Sequence, residues 1–249
     1  MTTPPETLLP LISGTKITKS FQVGSRQVQI LHGVDVAVQP GELVAIMGQS
    51  GSGKSTLLYC LAGLEQSTSG EVVIDATPLA QLNRAALARM RRSSVGFVFQ
   101  QYNLVPTLSA YENIALPWRL NRQRPDRELI MRTMTAMGIE ELAPKLPNTL
   151  SGGEQQRVAL SRVIAQQPRI VFADEPTGAL DTRTGRLVLD EIERIAHNPG
   201  QCVLMVTHDP VVASRCDRVL FMRDGVLVQE MLRPTRDQVA ETLNRLVEG

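Results

Sequence analysis

The sequence predicts an α/β fold in which a helical segment interrupts a set of buried strands. Two short runs of apolar and β-branched residues, 170–173 and 202–207, are typical of strands that are buried on both faces of a parallel sheet. A helical pattern at 183–196 lies between them. The stretch 106–147 is mostly helical in pattern and is punctuated by prolines. We therefore expect a helical subdomain inserted into an α/β core.

The other segments complete this core. Strands are expected at 13–21, 28–38, 42–47, 71–74 and 95–99, and helices at 56–64 and 84–92. Asp224 and Gly225 separate two β-rich runs, 218–222 and 226–230, and this pair favours a hairpin turn.

The domain organisation follows from these patterns. Residues 1–10 carry three prolines and are expected to form a flexible tail. Residues 11–234 are expected to form one domain, with the helical subdomain at about 101–160. Residues 235–249 form an amphipathic helix, because Val239, Leu243, Leu246 and Val247 fall on one helical face. That stripe is expected to pack against the body, with binding of a partner as the alternative.

Composition excludes several classes of protein. The net charge of +1 over 249 residues gives no electrostatic reason to expect a nucleic-acid partner. The basic run 84–92 is more simply the solvated face of a helix. No stretch approaches the roughly 20 apolar residues that a membrane-spanning helix needs. The three cysteines lack metal or redox spacing, which favours reduced thiols in the cytosol.

A glycine-rich segment between the third strand and the first helix carries the pattern of a phosphate-binding loop. Glycines let successive backbone N–H groups point at an anion, and the helix that follows adds the positive end of its dipole. The lysine can reach the outer phosphates and the last serine can bind Mg²⁺. The segment is Gly48, Gln49, Ser50, Gly51, Ser52, Gly53, Lys54 and Ser55. It predicts a nucleotide site, but alone leaves kinases, GTPases and many ATPases open.

Two carboxylates end the buried run at 170–173. The carboxyl edge of a parallel sheet is where such folds bind ligands. Asp174 is expected to hold Mg²⁺, usually through water, and Glu175 to orient or deprotonate the attacking water. Surface charge at a strand end is the simpler alternative.

A second anion-binding helix start is predicted at 151–153. Ser151 can cap the helix, and Gly152 and Gly153 let an anion approach the backbone closely. One chain already has its phosphate loop, so this segment makes sense if it faces the γ-phosphate bound by another subunit.

These three segments resemble the P-loop, Walker B and signature motifs of ABC-type ATPase domains, and the similarity runs from about residue 17 to residue 229. The resemblance implies that residues 11–234 form an ABC ATPase domain, with a P-loop NTPase core, an antiparallel β subdomain and an inserted α-helical subdomain. It implies that Phe21 stacks on adenine, that Gln100 senses Mg²⁺ and joins the two lobes, and that His208 contacts the γ-phosphate. Asp181 matches the loop that crosses the dimer interface. A lone histidine is most often structural, but one that ends a core strand in this register is better interpreted as catalytic.

The resemblance also implies a mechanism and partners. Two copies of the chain would enclose two ATP molecules between them. In each site one copy would supply the phosphate loop, which extends to Thr56. The other copy would supply residues 151–154, which include Glu154, and Asp181. Residues 100–118 would receive a helix from a membrane permease. The protein would then lie at the cytoplasmic face of the cell membrane, with ATP and Mg²⁺ as its cofactors.

Three further stretches indicate a subgroup within the ABC-type ATPases. The stretches 96–106, 112–117 and 174–181 resemble the MacB, LolD and FtsE group, whose permeases have few membrane helices. This resemblance implies export or extraction of lipoprotein, peptide, antibiotic or similar cargo. An FtsE-like role in regulating an extracytoplasmic partner stays open, because the nucleotide chemistry would be identical. A soluble nucleic-acid ATPase is disfavoured, because no long coiled coil or metal-spaced cysteines interrupt the chain.

Overall fold

The computed structural model describes residues 9–99, 102–178 and 180–248, without the side chains of 247 and 248. Within those ranges the chain forms ten strands and eight α-helices. The strands are β1 (Ile12–Val23), β2 (Arg26–Val38), β3 (Leu43–Met47), β4 (Ser69–Ile74), β5 (Thr77–Pro78), β6 (Val95–Val98), β7 (Ile170–Asp174), β8 (Cys202–Val206), β9 (Arg218–Arg223) and β10 (Val226–Leu232). The helices are α1 (Lys54–Leu61), α2 (Arg84–Ser94), α3 (Ala110–Leu120), α4 (Arg127–Ala136), α5 (Gly152–Gln166), α6 (Thr182–Ala196), α7 (Pro210–Ala213) and α8 (Arg236–Glu248).

Two sheets form the framework. A six-stranded sheet has the order β10-β9-β3-β8-β7-β6, and its strands are parallel except for the edge strand β10. A four-stranded antiparallel sheet has the order β2-β1-β4-β5. Strands β3, β7 and β8 are buried along their whole length, as their continuous apolar runs predicted.

The core lies on both faces of the six-stranded sheet. One face packs with α1 and the antiparallel sheet, through residues such as Leu31, Leu58 and Phe172. The other face packs with the helices of the insertion and with α6, through residues such as Ile114 and Val188. The strands are thus covered on both sides, and the loops at their carboxyl ends remain free to form a site.

The predicted strands, the 224–225 hairpin and the basic helix are confirmed within a few residues. Two details differ. Helix α1 begins at Lys54, directly after the left-handed Gly53, but it ends at Leu61 rather than at 64, just before Gly63, which is also left-handed. Pro117 lies inside α3 instead of ending a helix. It stands near the C-terminal end of α3, where it removes a single backbone hydrogen bond.

The last helix packs on the body. Val239 in α8 is buried, and Leu243 and Leu246 contact the same core cluster, as the predicted stripe requires. None of the helices in the described ranges combines the length and the apolar character that crossing a membrane would require.

Candidate functional site

The loop from β3 to α1 wraps tightly, and its glycines are required where the backbone passes other atoms. Gly48 has a φ of 151°, and a Cβ there would lie 2.1 Å from the carbonyl oxygen of Met222. Gly53 has a φ of 97° and precedes the first turn of α1. A side chain at either position would therefore force the loop open, so the curl of backbone N–H groups depends on glycine.

Lys54 lies across this loop. Its Nζ donates hydrogen bonds to the carbonyl oxygens of Gly48 at 2.9 Å and Gln49 at 2.6 Å. Burial lowers the pKa of Lys54, although the carboxylates of Glu175 and Asp174 oppose that effect. The amine is thus held over the phosphate loop with two carboxylates nearby.

Asp174 ends β7 beside α1 and is 8% exposed. The Ser55 hydroxyl donates to its Oδ1 at 3.0 Å, and the Tyr59 hydroxyl donates to its Oδ2 at 2.7 Å. Burial, with the adjoining carboxylate of Asp174, raises the pKa of Tyr59 to about 12, so the phenol carries its proton at neutral pH. Both oxygens of the carboxylate are therefore held by hydroxyls from one helix.

Glu175 and His208 come together at the carboxyl ends of β7 and β8. Oε1 of Glu175 lies 2.8 Å from Nδ1 of His208. The Glu175 side chain is 15% exposed whereas that of His208 is 70% exposed. Glu175 has a φ of 49°, and its N–H donates to the carbonyl oxygen of Val206. A left-handed conformation is unfavourable for glutamate, and such strain is concentrated at functional sites.

One pocket of about 520 Å³ collects most of the predicted site residues. Phe21 forms one wall and is partly exposed, with Nζ of Lys19 4.6 Å from the centre of its ring. The predicted residues that line the pocket are Phe21, Gly48, Ser50, Gly51, Gly53, Lys54, Ser55, Thr56, Asp174, Glu175 and His208. A nucleotide of ATP's size, with an aromatic base and an anionic tail, fits this combination of ring, loop and carboxylates.

Other predicted residues lie outside this pocket. Gln49 and Ser52 belong to the loop without lining the pocket, and Ser52 is buried. Ser151, Gly152, Gly153 and Glu154 form the start of α5, away from the pocket lining. Asp181 caps α6 by accepting hydrogen bonds from Arg183 and Thr184, and Gln100 lies outside the described residues.

The start of α5 is a complete capping box. The Ser151 hydroxyl accepts from the N–H of Glu154, and the Glu154 carboxylate accepts from the N–H of Ser151. These hydrogen bonds lower the pKa of Glu154.

On the same helix the buried side chain of Gln156 donates to the carbonyl oxygen of Pro176 at 2.7 Å. Helix α5 is thereby tied to the segment that follows Glu175.

The donor set fits a magnesium ion bound together with phosphates. Mg²⁺ prefers oxygen ligands and usually takes one or two from the protein, with water and phosphate supplying the rest. Ser55 Oγ and Asp174 Oδ1 lie 3.0 Å apart at the mouth of the phosphate loop. The buried Ser52 hydroxyl has no hydrogen-bond partner among the described residues, which leaves a polar atom in the loop for a ligand to satisfy.

The sequence patterns missed Tyr59 and Lys19. Tyr59 stands four residues after Ser55 on α1, so the helical spacing alone places both side chains on one face. Lys19 stands two residues before Phe21 on β1, on the same side of the strand, and it also pairs with Glu65 at 2.5 Å. In both cases the signal was the spacing from a residue already assigned to the site.

Comparisons with known proteins agree with this geometry. A family model described as ABC transporter matches residues 31–178. The chain belongs to the ABC transporter family. It is therefore an ATP-binding domain of the ABC ATPase type, and its reaction is the hydrolysis of ATP. The family and fold predicted from the motifs are confirmed.

Curated relatives cover most of this ABC domain. It is 38% identical over 225 residues to the bacitracin export ATP-binding protein BceA of Halalkalibacterium halodurans, covering 90% of this chain and 89% of that protein. It is 40% identical over 220 residues to the uncharacterized ABC transporter ATP-binding protein YvrO of Bacillus subtilis, covering 88% of this chain and 96% of that protein.

Solved structures of ABC cassettes share the fold. The ATP-binding cassette MJ0796, in a dimeric post-hydrolysis state bound to ADP and Pi, superposes with a TM-score of 0.84 at 37% identity, covering 90% of this chain and 99% of that one. CbiO1 of Clostridium perfringens, part of a cbiONQ transporter complex, superposes with a TM-score of 0.76 at 25% identity, covering 96% and 92%.

Proposed function

We propose that this ABC domain works as a homodimer that encloses two ATP molecules and energises a separate membrane permease of the MacB and LolD type. The observation that carries the proposal is the division of the predicted site. The phosphate loop, Asp174, Glu175 and His208 line one pocket, whereas the capped helix start at 151–154 lies outside it. A second copy would bring that helix start to the γ-phosphate. The dimeric state of the related cassette MJ0796 supports this arrangement.

The chemistry is assigned to residues of the pocket. Phe21 stacks on adenine, and the loop with Lys54 binds the phosphates. Ser55 and Asp174 would hold Mg²⁺, with Gln100 as a further contact from outside the described residues. A bound ion would neutralise charge on the phosphates. Glu175 accepts the proton of the attacking water.

His208 has two tasks in this scheme. It orients the Glu175 carboxylate through its Nδ1 contact and presents the rest of its ring towards the γ-phosphate. The partner copy supplies Ser151, Gly152, Gly153 and Glu154 at the γ-phosphate and Asp181 across the interface. The two copies then close on each other only when ATP is bound, because its γ-phosphate joins them. Hydrolysis removes that phosphate from the nucleotide.

A groove beside the helical insertion is the proposed docking site for the permease. It has a volume of about 480 Å³ and is lined mainly by apolar side chains of α2, β6, α3 and α5, among them Phe97, Leu116 and Leu120. Leu120 is 55% exposed. Arg91, Arg92 and Arg162 also line it. An apolar groove that carries basic residues suits an amphipathic helix with acidic residues.

The cargo class is proposed from the relatives. Because BceA of Halalkalibacterium halodurans is named for bacitracin export, we place the cargo of this system among peptide antibiotics or similar amphiphilic molecules. The domain would work from the cytoplasmic face of the membrane, bound there through its permease. The bacitracin-export relative favours transport over the FtsE-like regulatory role.

Capture of the complex tests this proposal. The Glu175→Gln variant is expressed in its host and purified with ATP from membranes in mild detergent. We expect one permease to copurify with the variant at a fixed stoichiometry. The permease should no longer copurify when Leu120 is also changed to Glu. The matched change Leu187→Glu alters a leucine on α6 that is 46% exposed, and it should leave the complex intact. Recovery of no membrane protein, or equal loss in both variants, would contradict the docking assignment.

A further inference from the structure

The side chain of Tyr59 holds the far side of the carboxylate that is assigned to magnesium. Its hydroxyl donates to Asp174 Oδ2 at 2.7 Å, while the Ser55 hydroxyl donates to Oδ1 at 3.0 Å. Ser55 and Tyr59 are one turn apart on α1, so a single rigid helix fixes both contacts. The carboxylate is thus oriented from two sides by one element.

We propose that Tyr59 is a positioning residue for the magnesium–ATP site. This inference rests on the proposed function, because it takes Asp174 as a metal-binding group. By donating to Oδ2, the phenol hydroxyl leaves Oδ1, the oxygen beside the Ser55 hydroxyl, to meet the metal. Asp174 is 8% exposed, so little solvent is available to replace the phenol hydrogen bond. Groups that orient metal-binding side chains in this way tune the affinity for the metal.

The hydroxyl can be separated from the rest of Tyr59. The ring packs against the core cluster that contains α1, and the carbonyl oxygen of Tyr59 accepts from the N–H groups of Leu64 and Glu65. Phenylalanine retains the ring and the backbone and loses only the bond to Asp174. A metal effect in Tyr59→Phe therefore belongs to the hydroxyl.

The test compares nucleotide binding with and without metal. Affinity for a fluorescent, non-hydrolysable ATP analogue is measured in EDTA and in Mg²⁺, and their ratio gives the gain due to metal. We expect Tyr59→Phe to keep the affinity measured in EDTA. The ratio of the affinity in Mg²⁺ to the affinity in EDTA should fall roughly 10- to 100-fold. The control Thr133→Val removes another buried hydroxyl, in α4, and should change neither value.

A double-variant comparison locates the effect. If Tyr59 acts through Asp174, adding Tyr59→Phe to Asp174→Asn should change the metal gain no further. Equal loss of affinity in EDTA and in Mg²⁺ would indicate a merely structural role and would overturn the inference. If Mg²⁺ clearly raises the affinity of the wild type and raises that of Tyr59→Phe by the same factor, the inference about Tyr59 would be overturned and the proposed function would stand. A wild type without any metal gain would overturn both.

Discussion

Nδ1 of His208 lies 2.8 Å from Oε1 of Glu175, and this contact joins the carboxyl ends of two neighbouring parallel strands. Asp174 of β7 pairs with Val206 of β8, so the residues just beyond these strands project from the same edge of the sheet. The glutamate is largely buried and the histidine is exposed, and this difference fits the roles proposed for them, Glu175 acting on water and His208 contacting the γ-phosphate.

Loss of the Glu175 carboxylate should stop hydrolysis without stopping binding. In Glu175→Gln the amide keeps the shape of the side chain but cannot accept a proton, so we expect turnover to fall roughly 10²- to 10⁴-fold. Phosphate release measures turnover, and fluorescence of an ATP analogue measures affinity. Turnover within about threefold of the wild type would refute the role of general base.

Lys54→Ala should abolish both binding and turnover. The ammonium lies over the phosphate loop, where it is positioned for the outer phosphates. The same titration with the fluorescent analogue provides the measurement, with Lys145→Ala, which changes an exposed lysine, as control. Unimpaired nucleotide affinity in Lys54→Ala would contradict the assignment of the loop.

The start of α5 can be tested without breaking its cap. Aspartate and asparagine are both good N-cap residues, so Ser151→Asp and Ser151→Asn should each keep the helix. Only aspartate adds a negative charge where the partner's γ-phosphate is proposed to bind. In the Glu175→Gln background we expect ATP-driven dimerisation, followed by light scattering, to fail in Ser151→Asp and to persist in Ser151→Asn. Equal behaviour of the two would argue against contact with phosphate.

Asp217 gives a prediction for the dependence of stability on pH. It accepts hydrogen bonds from the N–H of Leu43 and from His197, each at 3.0 Å. Burial alone would raise the pKa of Asp217, but these bonds and the nearby cations outweigh it, so the folded pKa lies below 3.8. The carboxylate therefore stabilises the fold above pH 3.8, and this contribution is lost as the pH falls through the folded pKa.

The corresponding variant is Asp217→Asn. We expect it to lower the free energy of unfolding by about 1 kcal/mol at pH 7, with the difference shrinking as the solution is acidified towards the folded pKa. Urea denaturation at a series of pH values measures it, and Asp224→Asn, in an exposed turn, serves as control. A difference that grows on acidification would contradict the assignment.

The local parts of the site could be predicted from the sequence, and its long-range contacts could not. Gly48 to Ser55 are contiguous, so spacing alone identifies the phosphate loop, and the all-apolar strand before Asp174 identifies the sheet edge. The bond from Tyr59 to Asp174 joins residues 115 positions apart. It depends on how α1 packs against β7, and no periodic pattern encodes that packing. The same holds for the ion pair between Lys19 and Glu65, which are 46 positions apart.

Dimerisation of the Glu175→Gln variant is the most direct test of the proposal that ATP joins two copies of the chain. Its mass in solution is measured by light scattering with ATP and with ADP, and the bound nucleotide is counted. We expect twice the 27.3 kDa mass of one chain with ATP, at one nucleotide per chain, and a monomer with ADP. A monomer with ATP bound, or the same mass with either nucleotide, would contradict the proposal that the γ-phosphate joins two copies.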